Sequence, residues 1–242
     1  MRFLISAIVA LIFTSCHIFE DISVDSKRVI VVLLDLSGST LKARDDYIKP
    51  IEKIFSSLSY GDYISILLVD SRSELQVSPL FEDSIPAIKA KNKFYLNLTL
   101  DIDSLDLIKA NMLNRFMKVF NNSLKGMASK NTRIMGAIYA ASRILLSSEK
   151  EKILVIISDM IEDSEYNLIN LKEEDFERVI KKEFKSGRIP NLNGVTVYIV
   201  TVGLDSAGEF YRLMNFWEKY FKMANAKEII FDNFLTKLKT KG

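Results

Sequence analysis

An open, doubly wound α/β fold, with a mostly parallel central sheet flanked by helices and one antiparallel edge strand, is what this sequence predicts. Two observations carry the prediction. RVIVVLLD (28–35), YISILLVD (63–70), KILVIISD (152–159) and VTVYIVTVG (195–203) are near-continuous runs of β-branched and aliphatic residues, with EIIF (228–231) as a shorter version. Such runs mark strands covered on both faces. Between them, LKARDDYIKPIEKIFSSL (41–58), TRIMGAIYAASRILLSS (132–148) and GEFYRLMNFWEKYFKMANA (208–226) carry apolar residues at helical spacing. Strands and helices that alternate in this way build a wound sheet.

The less regular stretch from about 71 to 131 supplies the edge. SELQVSPLF (73–81) reads as an edge strand, because Pro79 lacks the N–H that a central strand needs. FYLNLTL (94–100) alternates with period two and reads as another exposed strand. DSLDLIKANMLNRFMKVFNNSLKGM is a long helix starting near Asp103 or Ser104. Residues 165–194 form an extended connection that is partly helical, with a charged, solvated face. In FWEKYFKM (216–223), Phe216, Tyr220 and Met223 fall on the core side of a helix.

Composition narrows the chemistry. The chain has 242 residues, 48% hydrophobic and 26% charged, as a globular domain with a sizeable core requires. Its 33 basic and 31 acidic residues leave a net charge of +2, so there is no bulk electrostatic case for nucleic acid as a partner. Cys16 and His17 are the only residues of their types. An intrachain disulfide, a zinc site of thiolates and imidazoles, and a Ser-His-Asp triad are therefore all excluded.

The N-terminus accounts for that cysteine. Met1 and Arg2 precede the apolar stretch FLISAIVALIF, and Thr14-Ser15-Cys16 closes it with small residues. The stretch is too short for a spanning helix, which needs roughly 20 apolar residues. The arrangement resembles a bacterial lipoprotein signal, although Phe13 stands where leucine is usual. That resemblance implies a signal peptide over residues 1–15, lipidation of Cys16, an anchor linker over 16–27 and an extracytoplasmic, membrane-anchored domain over 28–242.

The loop DLSGST (35–40) closes the first strand with a carboxylate and three hydroxyls. Alone, it could be a turn or helix cap, a phosphorylation site or one third of a metal site, and such a loop is more often a turn or cap than a ligand set. In a wound sheet, ligands bind at the carboxyl ends of the strands where strand order reverses. With the order 3-2-1-4-5-6, DLSGST and SDMIED (158–163) end neighbouring strands, and Asp35 shares a crevice with Asp159. Thr132 stands just before a helix in KNTRIMGA (130–137), where it could cap that helix or face the same crevice.

These three segments together resemble the von Willebrand factor A domain family, whose metal-ion-dependent adhesion site reads Asp-x-Ser-x-Ser, then Thr, then Asp. The matching positions are Asp35, Ser37, Ser39, Thr132 and Asp159, in order. Met160 departs from the pattern, since many members have glycine there, and Lys130-Asn131 replaces a glycine-rich lead into Thr132.

The resemblance implies a Mg²⁺ or Mn²⁺ site in which Ser37 and Ser39 bind directly and Thr132 binds directly or through water. Asp35 and Asp159 would act mainly through water or by orienting the hydroxyls. Few carboxylates with hydroxyls and waters suit a small hard cation. Two carboxylates leave it under-neutralised, and the implied partner is a protein presenting an Asp or Glu carboxylate.

DLSGST also looks like the DxDGT loop of haloacid-dehalogenase-type phosphatases, in which the second acid transfers a proton. Ser37 holds that position here, and a hydroxyl cannot perform that transfer at pH 7. The expectation is a binding domain, not an enzyme.

Overall fold

The computed structural model describes residues 22–23, 28–37, 44–71, 78–87, 89–90, 102–123, 132–204 and 206–238. The signal segment, Cys16, Ser39 and FYLNLTL lie outside them. In chain order the elements are β1 (Ile22–Ser23), β2 (Arg28–Asp35), α1 (Arg44–Ser56), β3 (Tyr63–Val69), β4 (Phe81–Ser84), β5 (Lys89–Ala90), α2 (Ile102–Ser123) and α3 (Ile134–Leu146). They continue with β6 (Glu151–Ser158), a 3-10 turn (Glu173–Asp175), α4 (Phe176–Lys185), β7 (Val195–Thr201), α5 (Ala207–Met223) and β8 (Glu228–Phe231).

Six strands form one sheet in the order β4-β3-β2-β6-β7-β8, and β1 pairs separately with β5. All pairings in the large sheet are parallel except β3 with β4. This is the doubly wound α/β fold, with the order 3-2-1-4-5-6 counted over the large sheet. The chain winds outward from β2 in both directions, so β2 and β6 flank the reversal point.

Every residue of β2 is buried, which is why the run shows no polar alternation. Val29, Val31 and Leu33 face α3, α4 and α5 on one side. Ile30, Val32 and Leu34 face α1 and α2 on the other. Full burial stabilises each such side chain by about 1.5–3 kcal/mol, so β2 anchors both layers at once. Phe216 and Tyr220 are fully buried in the first layer, and Met223 packs partly buried against it.

Of the run SELQVSPLF, residues 73–77 lie outside the described residues, and its end leads into the antiparallel edge strand. Phe81, the last residue of SELQVSPLF, opens β4, while Ser78, Pro79 and Leu80 precede it. Leu80 still donates to the Ile66 carbonyl at 2.8 Å, so the ladder begins at the first N–H after the proline.

At the opposite end of the sheet, the entry to β2 is fixed by a buried ion pair. Arg28 Nε donates to Asp62 Oδ2 at 3.1 Å, and Arg28 Nη2 donates to the Ser57 carbonyl at 2.7 Å. Both side chains are 2% exposed.

Candidate metal centre

The register of β2 against β6 builds the crevice. Leu34 stands opposite Ile157, which brings the next pair, Asp35 and Ser158, to the strand ends. Ser158 Oγ donates to Asp35 Oδ2 at 2.7 Å, and the Ser37 N–H donates to Asp35 Oδ1 at 2.9 Å. From α1, the Tyr47 hydroxyl donates to the Asp35 carbonyl oxygen. Asp35 is therefore held from both adjoining elements, with no exposed surface.

Asp159 follows immediately after β6 and is also buried; its Oδ1 accepts the Ile161 N–H at 2.9 Å. Burial, and after it the negative charge of Asp159, pushes the Asp35 carboxyl up to about 6 from its ordinary 3.8. Hydrogen bonds from Ser158 and Ser37 oppose the shift without cancelling it. Two buried carboxylates in mutual repulsion favour either a proton or a cation between them.

Thr132 is buried just ahead of α3. Its carbonyl accepts the Asp163 N–H at 2.9 Å, which joins the segment before α3 to the loop after β6. Of the five residues singled out in the sequence, Asp35 and Asp159 are coupled electrostatically, Ser37 is bonded to Asp35, and Thr132 is tied to the Asp159 loop; Ser39 lies outside the described residues. Thr132 does not cap α3, because Arg133 occupies the N-cap position and makes no side-chain cap bond.

That capping role belongs to Glu162, which the sequence did not single out. Its Oε2 accepts the Met135 N–H at 2.9 Å, and the residue is 1% exposed. Burial pushes its carboxyl up to about 7, against hydrogen bonds from Ser164, Met135 and Ile134 and the charge of Arg133. Ser158 was also missed, as was Trp217, whose Nε1 donates to the Met160 carbonyl at 2.8 Å. Met160 holds a left-handed backbone, with φ 61°, where the resembled pattern has glycine.

The donor set fits a small hard cation. Among the described residues no group of three or more His, Cys, Asp or Glu side chains could hold a metal. A carboxylate cage is absent there; Asp35 and Asp159 are buried, as are Ser37, bonded through its N–H to Asp35, and Thr132, whose backbone is tied to the loop after Asp159. Both Asp35 oxygens already accept protein hydrogen bonds, which suits a role through water or through the hydroxyls.

A cavity of about 550 Å³ lies beside the crevice, lined by Lys49, Leu204, Phe210, Tyr211 and Phe234 among others. Val202, on its wall, donates to the Ser158 carbonyl at 3.1 Å. Tyr211 and Phe234 are 69% and 76% exposed, a concentration of apolar surface next to the strand ends.

No family model matches the chain, and no curated protein sequence matches it. Among solved structures it is similar to a von Willebrand factor type A protein from Catenulispora acidiphila, with 16% identity and a TM-score of 0.45. An aerotolerance-related membrane protein from Bacteroides fragilis gives 15% and 0.45, and the ArnB paralog VWA2 from Sulfolobus acidocaldarius gives 16% and 0.37. These alignments cover 86%, 88% and 75% of this chain, which spans 39%, 95% and 36% of the respective structures.

Proposed function

We propose that this chain is an extracytoplasmic, lipid-anchored domain of the von Willebrand factor A type that holds Mg²⁺ or Mn²⁺ and grips an acidic group on a partner protein. Asp35, Ser37, Ser39, Thr132 and Asp159 would hold the ion. The observation that carries this reading is the burial of two carboxylates, Asp35 and Asp159, at neighbouring strand ends where strand order reverses. When bound, a divalent ion supplies charge compensation for the two carboxylates and an open position for a carboxylate oxygen.

The chain's own residues prepare that position. Ser158 and the Ser37 N–H fix the Asp35 carboxylate, and Asp163 holds the backbone of Thr132. The aromatic surface of Tyr211 and Phe234 offers a protein partner apolar contact beside the acidic anchor. The membrane contact in this reading is a lipid on Cys16; among the described residues no helix is long and apolar enough to cross a membrane.

The phosphatase reading finds no support in the same geometry. A nucleophilic Asp35 would need an oxygen turned to substrate, whereas both accept hydrogen bonds from Ser37 and Ser158. Calorimetric titration of the chain from Cys16 onward with Mg²⁺ and with Mn²⁺ tests the proposal: binding that disappears in Asp35→Ala is the expected result. No heat of binding in the wild type sinks the metal claim. Turnover of phosphomonoesters abolished by Asp35→Asn would reinstate the enzyme. Mass spectrometry of the mature N-terminus checks for acyl chains on Cys16.

A further inference from the structure

We propose that Glu162 is the positioning residue that sets Thr132 in the crevice, acting through the first turn of α3. This inference rests on the metal reading above and adds a residue to it.

Three contacts carry it. Glu162 Oε2 accepts the Met135 N–H at 2.9 Å, so the carboxylate closes on the N-terminal turn of α3 from a loop 27 residues later in sequence. Its neighbour Asp163 donates its N–H to the Thr132 carbonyl at 2.9 Å. The Glu162 carbonyl accepts the Leu168 N–H at 3.0 Å, which anchors the clasp to the rest of its own loop. Two consecutive residues, three and four positions after Asp159, thus hold the first turn of α3 and the residue before its N-cap at one point each.

The capping geometry explains why the chain uses a remote carboxylate. An α-helix leaves its first N–H groups without intrahelical acceptors, and a nearby Ser or Thr ordinarily satisfies one of them. If Thr132 did so, its hydroxyl would be committed to the helix. Glu162 takes the task instead, while the N-cap side chain of Arg133 makes no cap bond. Thr132 is thereby placed by its backbone, with its hydroxyl outside the cap. The bond from the Met135 N–H to Glu162 Oε2 holds this turn against the loop.

The same clasp makes the two segments move as one. A shift of Asp159 along its loop carries residues 162 and 163 with it, and these pull on Met135 and Thr132.

The test is a double-mutant cycle read by Mn²⁺ affinity, with the chain from Cys16 onward and electron paramagnetic resonance counting free Mn²⁺. Glu162→Ala is expected to weaken binding about 10-fold or more, as loss of an outer-shell partner does. Glu162→Gln, which keeps an acceptor oxygen at the same reach, should bind within about 3-fold of wild type. In a Thr132→Ala background, Glu162→Ala should cost less than about 2-fold, because its effect runs through Thr132.

A second readout needs no metal. Amide exchange at Met135 and Asp163 in the metal-free chain should quicken in Glu162→Ala and not in Glu162→Gln. Should Glu162→Ala fail to fold, Glu162→Asp keeps the charge but shortens the reach, and it should also weaken Mn²⁺ binding. Wild-type affinity in Glu162→Asp, or losses that simply add in the double mutant, overturn the positioning role and leave the metal reading intact. A wild-type chain that binds no Mn²⁺ overturns both.

Discussion

Ser158 and Asp35, 123 residues apart, meet in a 2.7 Å hydrogen bond where β2 and β6 end side by side. Ser158 Oγ donates to the carboxylate and accepts the Met160 N–H at 2.9 Å, so one hydroxyl orients both the strand end and the loop that follows. Ser158→Ala removes the donor from a fully buried carboxylate and leaves the Met160 N–H unmet. The expected loss is about 1–3 kcal/mol in urea unfolding at pH 7, since a buried group without its partner keeps its desolvation cost. Asp35 should titrate higher than about 6 in the same variant, because Ser158 is one of the groups holding it down. Carboxyl-carbon NMR against pH reads this directly, and an unchanged midpoint would refute the assignment.

Glu162 gives the metal-free protein a pH dependence whose sign is fixed by the direction of its shift. Its folded value of about 7 lies above the ordinary 4.5, so the folded state holds the proton more tightly than the unfolded chain does. The protonated group's stabilising contribution is fully present below pH 4.5 and is lost as pH rises through 7. That window corresponds to about 3 kcal/mol. Glu162→Gln keeps an acceptor for the Met135 N–H and cannot titrate, so its stability should be flatter between pH 4.5 and 7 than that of wild type. Denaturant midpoints across that range in the presence of chelator check it. Parallel curves for the two proteins would show that Glu162 does not carry the dependence.

How much of this was legible in the sequence depends on where each contact originates. The strands could be read because burial on both faces leaves an unbroken apolar run, as in β2. Asp35 and Asp159 could be placed at one crevice because each lies at the end of a strand at the reversal point, whereas Ser37 and Thr132 were singled out only by the resemblance. Ser158, Glu162 and Trp217 left no such trace. Their partners lie 123, 27 and 57 residues away, and a lone Ser, Glu or Trp carries no spacing that names a distant backbone amide or carbonyl. The edge strand fell between the two cases: Pro79 marked the edge, and among the described residues the ladder follows it, from the Leu80 N–H into β4.

Arg28 and Asp62 close the far end of the sheet, each 2% exposed. Asp62 also accepts the Ser59 N–H at 2.8 Å, so it ties the α1–β3 turn to the start of β2. Asp62→Ala removes a buried carboxylate that pairs with the Arg28 guanidinium and should cost about 3–5 kcal/mol. Replacing both residues with apolar side chains of similar volume should recover most of that loss, since the pair's own desolvation is then avoided. A double variant no more stable than Asp62→Ala would contradict this account.

The Tyr220 hydroxyl is buried in the core without a hydrogen-bond partner among the described residues. Burial, with the charges of Glu162 and Glu183 behind it, raises its pKa well above the ordinary value, so it stays neutral and still lacks an acceptor. Tyr220→Phe removes the unmet group while keeping the ring against Trp217 and Phe221. Stability should rise by about 1 kcal/mol, read as a higher urea midpoint with an unchanged slope. A fall would mean the hydroxyl has a partner in solution, such as a buried water.

Met160 sets backbone strain against packing at the same residue. Its φ of 61° costs a side-chain-bearing residue about 1–2 kcal/mol relative to glycine, and Met160→Gly would relieve that. The side chain, however, is 1% exposed in the core layer of α3 and α5, and truncating a buried Met costs about 2–5 kcal/mol. Glycine also gains freedom in the unfolded chain, worth up to about 1 kcal/mol against the variant. Packing therefore outweighs strain, and Met160→Gly should be destabilised by about 2 kcal/mol even though it restores the glycine of the resembled pattern. The Trp217 Nε1 bond to the residue 160 carbonyl involves only backbone on that side and should survive, keeping the loop's path. Denaturant unfolding measures the first expectation, and the indole N–H resonance of Trp217 the second. A more stable Met160→Gly would show that the side chain contributes little packing where it lies.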